Sequence, residues 1–205
     1  MFDTREKKER SLGVKLFLKG ERCNSPKCVT VRRPHAPGAH GKKPKRRTSS
    51  EFSQQLKEKQ KIKFSYGLRE SQMKRIFSKA VKNPGGAGVA MLQILERRLD
   101  NVVFRLGLAP SRSVARQLVG HGHILVNGRK ITAPSYSVAV GNKISIRPES
   151  KNHPVFKDLA LTLNKYEPPI WLNLDKEKTE GVMVGAPKDL EMLFDVNVVV
   201  DYYSK

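Results

Sequence analysis

The sequence predicts an α+β fold, with a mostly helical domain and a module of two helices and a small antiparallel sheet, behind an irregular basic N-terminal arm. Apolar residues recur at helical spacing between residues 50 and 99. Short alternating apolar runs flank the Asn-Gly pair at 127–128, and this pair is a strong signal for a two-residue hairpin. Proline, glycine and cationic residues crowd positions 32–47, where they disfavour regular structure.

The N-terminal arm, residues 1–49, owes its predicted irregularity to the cations at 32–47, which prolines and glycines interrupt. Such a run is expected to stay extended, because its charges repel one another and it has little apolar surface to bury. We therefore expect no regular elements in the arm, and order only when a polyanion binds.

The helical domain is predicted over residues 50–97. Ser49 or Ser50 can cap a first helix over 50–66. A second helix over 70–82 has a core face of Met73, Ile76, Phe77 and Ala80. A third helix is marked by Met91, Leu92, Leu95 and Leu99.

The module is predicted over residues 98–164 and begins with two helices. The first is short and ends at Gly107. The second is capped by Ser111, and its apolar face turns inward, so that Arg112 and Arg116 lie one turn apart on the outside.

The sheet of the module is predicted from short apolar runs after those helices. Residues 124–126 form a strand, Asn127 and Gly128 form the turn with positive φ, and a return strand begins at Arg129. Further strands are marked by the alternation of Val138 and Val140, and of residues 143–146.

The C-terminal segment comprises residues 165–205. Before it, the connection over 148–167 includes a helix around Val155–Tyr166. The segment itself combines a short strand (Ile170, Leu172, Leu174), one or two helical turns (Asp189–Phe194) and a last strand with alternating Val196, Val198, Val200 and Tyr202.

Charge is the strongest compositional signal. The chain carries 40 Lys and Arg against 19 Asp and Glu, a net charge of +21. Residues 1–85 hold 24 basic and 7 acidic residues, whereas residues 161–205 hold 5 and 8. A compact protein this basic repels itself, and nucleic acid is the commonest partner that neutralises such charge. We therefore expect nucleic acid to bind the first part of the chain, and the last part to serve as scaffold or protein-facing surface.

Several function classes are disfavoured. No apolar run approaches the roughly eighteen residues that a membrane span needs, and two cysteines make no disulfide framework, which favours a reducing cytoplasm. The glycine-rich stretch 85–88 lacks the Gly-Lys-Ser/Thr of a phosphate-binding loop. No Ser/His/Asp set, paired carboxylates or metal cluster has usable spacing, so we expect no enzyme and no cofactor. We also expect no homo-oligomer.

Motifs in the module resemble the small RNA-binding module of ribosomal protein S-four, the fourth protein of the small ribosomal subunit. They are the stretches Arg98–Gly107, Ser111–Val119 and His121–Gly128. The same module occurs in pseudouridine synthases, some tRNA synthetases and a heat-shock protein. Flanking motifs resemble bacterial S-four specifically, at residues 16–23, 37–41, 56–61, 66–67, 171–172 and 203–205.

The resemblance covers nearly the whole chain. It implies that a mostly helical domain, residues 50–97 completed by the C-terminal segment 165–205, embraces the module, which is inserted at residues 98–164. It also implies a role. It implies binding to the 5′ domain of small-subunit ribosomal RNA at a junction of several helices, early in assembly. It implies ribosomal protein S-five as a neighbour, with messenger RNA close to where it enters the subunit, and an influence on decoding accuracy.

The candidate RNA-binding residues fall into three groups. Those of the module are Arg112, Arg116, Gln117, His121, His123, Arg129 and Lys130. Those of the helical domain are Lys57, Lys59, Lys61, Lys63, Arg69, Lys74 and Arg75. Those of the arm are Lys42, Lys43, Lys45, Arg46 and Arg47. Guanidinium groups fork onto phosphates, and lysines supply point charges.

Cys23 and Cys28 resemble the second half of a four-cysteine zinc site found in some members of the S-four family. The first half would lie near Glu6 and Glu9, where this sequence has no cysteine. Two thiolates alone hold structural zinc poorly, so we expect no metal.

Two alternatives remain open at this point. One is an RNA-modifying enzyme that carries the same module, and it would need a catalytic domain that the flanks do not suggest. The other is a free-standing RNA chaperone or translational repressor, which would be found largely off the ribosome.

Overall fold

The computed structural model describes residues 5–42, 50–157, 159–188 and 194–204. The chain divides into two compact units. The first unit comprises residues 1–91 and 191–205, and the second unit comprises residues 92–190. Helices occur in both, and an antiparallel five-stranded sheet occurs in the second, which confirms the predicted α+β class. No helix among the described residues is long and apolar enough to cross a membrane.

The N-terminal arm is more regular than predicted. It forms the helices α1 (Arg5–Leu12), α2 (Glu21–Asn24) and α3 (Val29–Arg32), so the expectation of an irregular arm is wrong over these residues. The cause is a polar anchor. The buried carboxylate of Glu9 accepts the backbone N–H groups of Leu16 at 2.9 Å and Leu18 at 3.3 Å. The spacing of apolar residues in the sequence does not predict hydrogen bonds of this kind, which a buried carboxylate makes to the backbone.

Two longer helices of the first unit confirm the sequence prediction. Helix α4 spans Glu51–Ser65, and the Ser50 hydroxyl caps it by accepting the N–H of Ser53 at 3.3 Å. Helix α5 spans Glu70–Ala80, and its buried residues Met73, Ile76 and Ala80 follow the helical period. Phe77 of the same face is half-buried and stacks on Tyr203.

The C-terminal element of the first unit is a helix, α10 (Val196–Ser204), and the predicted final strand is wrong. Its buried residues are Val196 and Val199, three positions apart, and not every second residue. The carboxylate of Asp195 accepts the N–H of Asn197 at 2.9 Å and caps the first turn. Packing against α4, where the Phe52 and Tyr202 rings are 5.8 Å apart, outweighs the β preference of the valines.

The third predicted helix is α6 (Ala87–Glu96), whose chain passes from the first unit into the second. Leu99, predicted to lie in the third helix, instead begins α7 (Leu99–Arg105). Helix α8 (Arg112–Gly120) follows, and the Ser111 hydroxyl caps it by accepting the N–H of Val114. The two predicted helices of the module are therefore confirmed.

The sheet begins with the predicted hairpin. Strand β1 (Ile124–Val126) pairs with β2 (Arg129–Lys130) in the antiparallel direction. Asn127 has φ 49° and Gly128 has φ 76°, as the two-residue turn requires. Strand β3 (Lys143–Ile146) pairs with β1, with Leu125 opposite Ser145.

Two further strands complete the sheet in the order β2-β1-β3-β5-β4. Strand β4 spans Leu172–Asp175, and β5 spans Glu180–Met183 and pairs with β3. Residues 172–183 thus join the sheet of the second unit, so the expectation that they complete the helical domain is wrong over this stretch. Gly181 of β5 packs closely against Leu106.

Two other differences concern the connections of the second unit. Val138 and Val140 form no strand: Val138 is buried and its N–H bonds to the carbonyl of Arg97 at 2.8 Å, whereas Val140 is exposed in a turn. The helix predicted around 155–166 is shorter, α9 (Leu159–Asn164), and two short 3-10 helices precede it, Pro148–Ser150 and Pro154–Phe156. The predicted turns at 189–194 lie, except for Phe194, outside the described residues.

The core of the second unit lies between α7, α8 and the sheet. Leu99, Val102, Leu106, Ile124 and Ile144 are fully buried there. Trp171, the only tryptophan of the chain, is 4% exposed and belongs to the same core. This core holds α8 and the β1–β2 hairpin in fixed positions, and these two elements carry most of the module's candidate residues.

Candidate nucleic-acid interface

The outer face of α8 carries Arg112 and Arg116, and both side chains are half-buried. The Nε of Arg112 donates to the side-chain oxygen of Asn101 at 2.7 Å. Its guanidinium lies 4.7 Å from the centre of the Phe104 ring. Ring stacking and a hydrogen bond together restrict this side chain to few conformations.

A buried carboxylate lies beneath that face. Glu96 is fully buried, and it accepts two hydrogen bonds from Arg105, from Nε at 3.0 Å and Nη2 at 3.1 Å. It also accepts one from the Asn101 amide at 2.8 Å, and Arg112 lies 3.9 Å away. Asn101 therefore links the carboxylate to the arginine of α8.

A second buried acid, Asp100, has a similar arrangement. It accepts Arg98 Nε at 3.1 Å and Nη2 at 2.8 Å, and Arg116 lies 4.0 Å away. The two acids together orient arginines from several elements, at buried positions where electrostatic interactions are little screened. The guanidinium groups of the α8 face are thus pre-organised before any ligand arrives.

Other predicted RNA-binding residues of the module follow in the sequence and are exposed. Gln117 and His121 are exposed at the end of α8, and Arg129 and Lys130 are exposed on β2. The aliphatic chain of Lys130 covers Gly122, where a Cβ atom would collide with it. The glycine, with φ 78°, thus permits both the tight turn and the close approach of this lysine.

The histidines of the module lie together with one that the sequence analysis missed. The rings of His121 and His123 are 6.0 Å apart, and those of His123 and His153 are 4.9 Å apart. Burial and the nearby His153, His121, Arg147 and Lys130 lower the pKa of His123. His153 and Arg147 come from an irregular stretch after β3, where no periodicity marks a functional residue.

Lys59 does not belong to an RNA-facing surface, and its assignment is corrected. The side chain is buried in the first unit, where Nζ donates to Glu70 at 3.0 Å and to the Tyr202 hydroxyl at 3.2 Å. Nζ also lies 4.4 Å from the centre of the Tyr202 ring. Although burial alone acts in the opposite direction, the bonds to Glu70 and Tyr202 raise the pKa of Lys59. The charge of Lys59 is therefore balanced by Glu70 within the first unit.

The remaining candidates of the first unit differ in what they already contact. Lys57, Arg69, Lys74 and Arg75 are exposed, as is Lys42 of the arm. Ion pairs engage two others, Lys61 with Glu58 at 2.6 Å and Lys63 with Glu70 at 2.9 Å. The other arm candidates, Lys43, Lys45, Arg46 and Arg47, lie outside the described residues.

The two cysteines are buried free thiols. Burial raises the pKa of Cys23, whereas the hydrogen bond with the Thr30 hydroxyl lowers the pKa of Cys28. Over the described part of the chain, no three His, Cys, Asp or Glu side chains come together as a metal site would require. The geometry offers Cys23 and Cys28 no third ligand of that kind there.

Comparison with known proteins places these features in a family. Residues 2–96 match the ribosomal protein S4/S9 N-terminal domain, and residues 97–144 match the S4 domain. The chain is 48% identical over 198 residues to small ribosomal subunit protein uS4 of Halothermothrix orenii, which covers 96% of this chain and 94% of that protein. Identity is 46% to uS4A of Alkaliphilus metalliredigens and 44% to uS4 of Pelotomaculum thermopropionicum, with the same coverage.

The two matched domains define an S4-domain protein of the ribosomal type. The chain belongs to the family of small ribosomal subunit protein uS4, as 48% identity over nearly the full length shows. The resemblance seen in the sequence motifs is thereby confirmed.

Proposed function

We propose that this protein is a structural constituent of the small ribosomal subunit in the cytoplasm, where it binds the 5′ domain of 16S-type ribosomal RNA and nucleates assembly of the subunit body. The observation that carries the proposal is the similarity to uS4 proteins along nearly the whole chain. The names of these relatives describe a component of the subunit, which supports a structural role and not a catalytic one.

The chemistry of the α8 face supports RNA binding. An RNA junction brings phosphates of several helices together, and rigid cations at matching positions select that arrangement. Because Glu96, Asp100 and Phe104 already restrict Arg112 and Arg116, less side-chain entropy is lost when a phosphate binds. We propose that each guanidinium forks onto a phosphate.

We propose that the other candidates of each unit, except Lys59, also contact RNA. In the second unit these are Gln117, His121, His123, Arg129 and Lys130. In the first unit they are Lys42, Lys43, Lys45, Arg46, Arg47, Lys57, Lys61, Lys63, Arg69, Lys74 and Arg75. Lys61 and Lys63 form ion pairs with Glu58 and Glu70, so we expect them to contribute less to RNA binding than Lys57 does.

The proposal also names two partners besides ribosomal RNA. We propose that ribosomal protein S-five is a neighbour, with messenger RNA near the place where it enters the subunit, and that this contact influences decoding accuracy. The acidic balance of residues 161–205, with 5 basic and 8 acidic residues, suits a protein-facing surface better than a phosphate-facing one. Cross-linking within assembled subunits tests the neighbour, and a missense-reporter assay tests the accuracy.

The main test is competition for RNA across a salt series. The full chain is mixed with the 5′ domain of its own small-subunit RNA and an equal mass of unrelated structured RNA. We expect the cognate RNA to bind about a hundredfold more tightly, or about 2.7 kcal/mol. With several phosphates neutralised, the log–log slope against salt should be about −5 or steeper. Equal competition by the two RNAs would contradict the proposal.

A variant pair locates the binding face. Replacing Arg112 and Arg116 by Gln should weaken cognate binding and make the salt slope shallower by about 1 to 2. Lys178→Gln is the matched control in the second unit, because Lys178 is an exposed cation near the acidic end of the chain. If the control and the double variant lose the same affinity, the α8 face is not the binding face.

A further inference from the structure

The histidine cluster, His121, His123 and His153, brings together two segments of the second unit, the connection between α8 and β1 and the stretch after β3. His121 follows the end of α8, His123 precedes β1, and His153 caps the 3-10 helix Pro154–Phe156. The backbone N–H of Arg147 donates to the carbonyl of His123 at 2.9 Å and holds the segments together. The spacing of the rings, 4.9 and 6.0 Å, lets one small ligand reach more than one of them.

The charged surroundings of the cluster are predominantly positive. The charged or titratable groups that act on His123 are His153, His121, Arg147 and Lys130, and each lowers its pKa. Arg147 has an acidic partner, since Nε donates to the exposed Glu149 at 2.7 Å. Lys151 is exposed next to Ser150. Such an excess of donors and cations favours an anion as ligand.

We propose that the histidine cluster, with Arg147 and Lys130, is a phosphate-binding subsite that takes up one proton when a phosphate of the ribosomal RNA binds. The inference rests on the proposed function, and it adds His153 and Arg147 to the RNA surface. The proton comes from solvent and protonates the imidazole of His123, and no covalent bond forms or breaks.

The hydrogen bonds assign different roles to two of the rings. His123 Nδ1 lies 2.9 Å from the Ser150 hydroxyl, so the imidazolium can donate there and leave its Nε2–H for the phosphate. His153 Nδ1 accepts the N–H of Val155 at 3.4 Å, which places the proton of the neutral ring on Nε2. The Nε2–H group of His153 is therefore also free of the Val155 bond and can donate to a phosphate.

The sign of the pH dependence follows from this assignment. In the free protein, burial and the surrounding His153, His121, Arg147 and Lys130 lower the pKa of His123, which favours the neutral ring. A bound phosphate stabilises the imidazolium and raises that pKa. RNA affinity should therefore increase as pH falls through the window between the two pKa values, by about tenfold for each unit of separation, and level off below the free-state pKa.

The experiment measures RNA affinity and proton uptake with the full chain. Binding of the 5′ domain RNA is followed from pH 5.5 to 8.5 at constant salt, and calorimetry in two buffers of different ionisation enthalpy counts the protons. The wild type should take up about one proton more than His123→Gln near pH 7. His35→Gln, a histidine change in the first unit, is the matched control and should leave the uptake unchanged. Equal uptake by the wild type and His123→Gln would overturn the inference.

A second measurement does not depend on a variant. The NMR titration of His123 in the wild-type protein is recorded in chloride and in inorganic phosphate at the same ionic strength, and its pKa should rise in phosphate. No rise would refute the subsite. A rise without extra proton uptake on RNA would assign the site to free phosphate and also overturn the RNA inference. Failure of the proposed function is distinct, because the cognate and unrelated RNAs would then compete equally at every pH.

Discussion

Replacing Glu96 by Gln tests whether a buried carboxylate holds the arginine side chains of the second unit. Glu96 is fully buried and accepts two hydrogen bonds from Arg105 and one from Asn101, all between 2.8 and 3.1 Å. The amide removes the negative charge and turns an N–H₂ group toward donors that had faced an oxygen. Breaking a buried ion pair from one side costs about 3–5 kcal/mol. We expect the lower end, about 3 kcal/mol of unfolding free energy, because Arg105 is 24% exposed and can recruit water.

The assay is denaturant unfolding followed by the fluorescence of Trp171, which is buried in the same unit as Glu96. Glu180→Gln is the matched control, since it makes the same chemical change in a half-exposed pair with Lys143. Exposed pairs contribute less than about 1 kcal/mol, so the control should change stability little. The reasoning fails if Glu96→Gln costs no more than Glu180→Gln.

Three further predictions concern charge, pH and packing. Lys59→Met should lower the free energy of unfolding by about 1–3 kcal/mol and leave the salt slope of RNA binding unchanged. Lys57→Met, at an exposed lysine, should make the salt slope shallower and leave the free energy of unfolding unchanged. A shallower slope for the Lys59 variant would show that Lys59 does contact RNA. Hydrogen bonds from lysines and a tyrosine, acting against burial, lower the pKa of Glu70 to about 2. Its stabilisation should be complete above about pH 4.5 and disappear as pH falls toward 2, so acid unfolding curves of the wild type and Glu70→Gln should converge there. Gly181→Ala should cost about 1–3 kcal/mol in thermal unfolding, because the methyl group would collide with Leu106, and an unchanged melting temperature would contradict that packing.

Local patterns predicted the elements whose stabilisation is local. The Asn127-Gly128 turn has the positive φ values that the pair indicates. Ser50 and Ser111 cap α4 and α8 through their hydroxyl groups, as their positions before apolar periodicities suggest. In these cases the residue that predicts the element also makes the hydrogen bond, or adopts the backbone dihedral angles, that define the element. No contact with a distant residue is needed for the prediction.

The sequence patterns give wrong predictions where the structure depends on contacts between residues that are distant in the chain. The valines of α10 alternate in sequence as a strand would, and only packing on α4 makes them helical. Lys59 has the composition of a surface cation, yet Glu70 and Tyr202 neutralise and surround it. The histidine partner His153 lies 30 positions after His123 and carries no periodic signal. Sequence patterns report what a residue prefers, whereas these three depend on which neighbours the fold supplies.

The strand order has a practical consequence for dissecting the protein. The S4-domain match ends at residue 144, inside β3, while β3 is bonded to β1 on one side and to β5 on the other. A fragment trimmed at that boundary would lose half of β3 with β5 and β4, and leave β1 with an open edge. Open edges bind other chains and cause aggregation. An isolated fragment that stays monomeric therefore has to continue at least through Met183, well past the boundary that the domain match suggests.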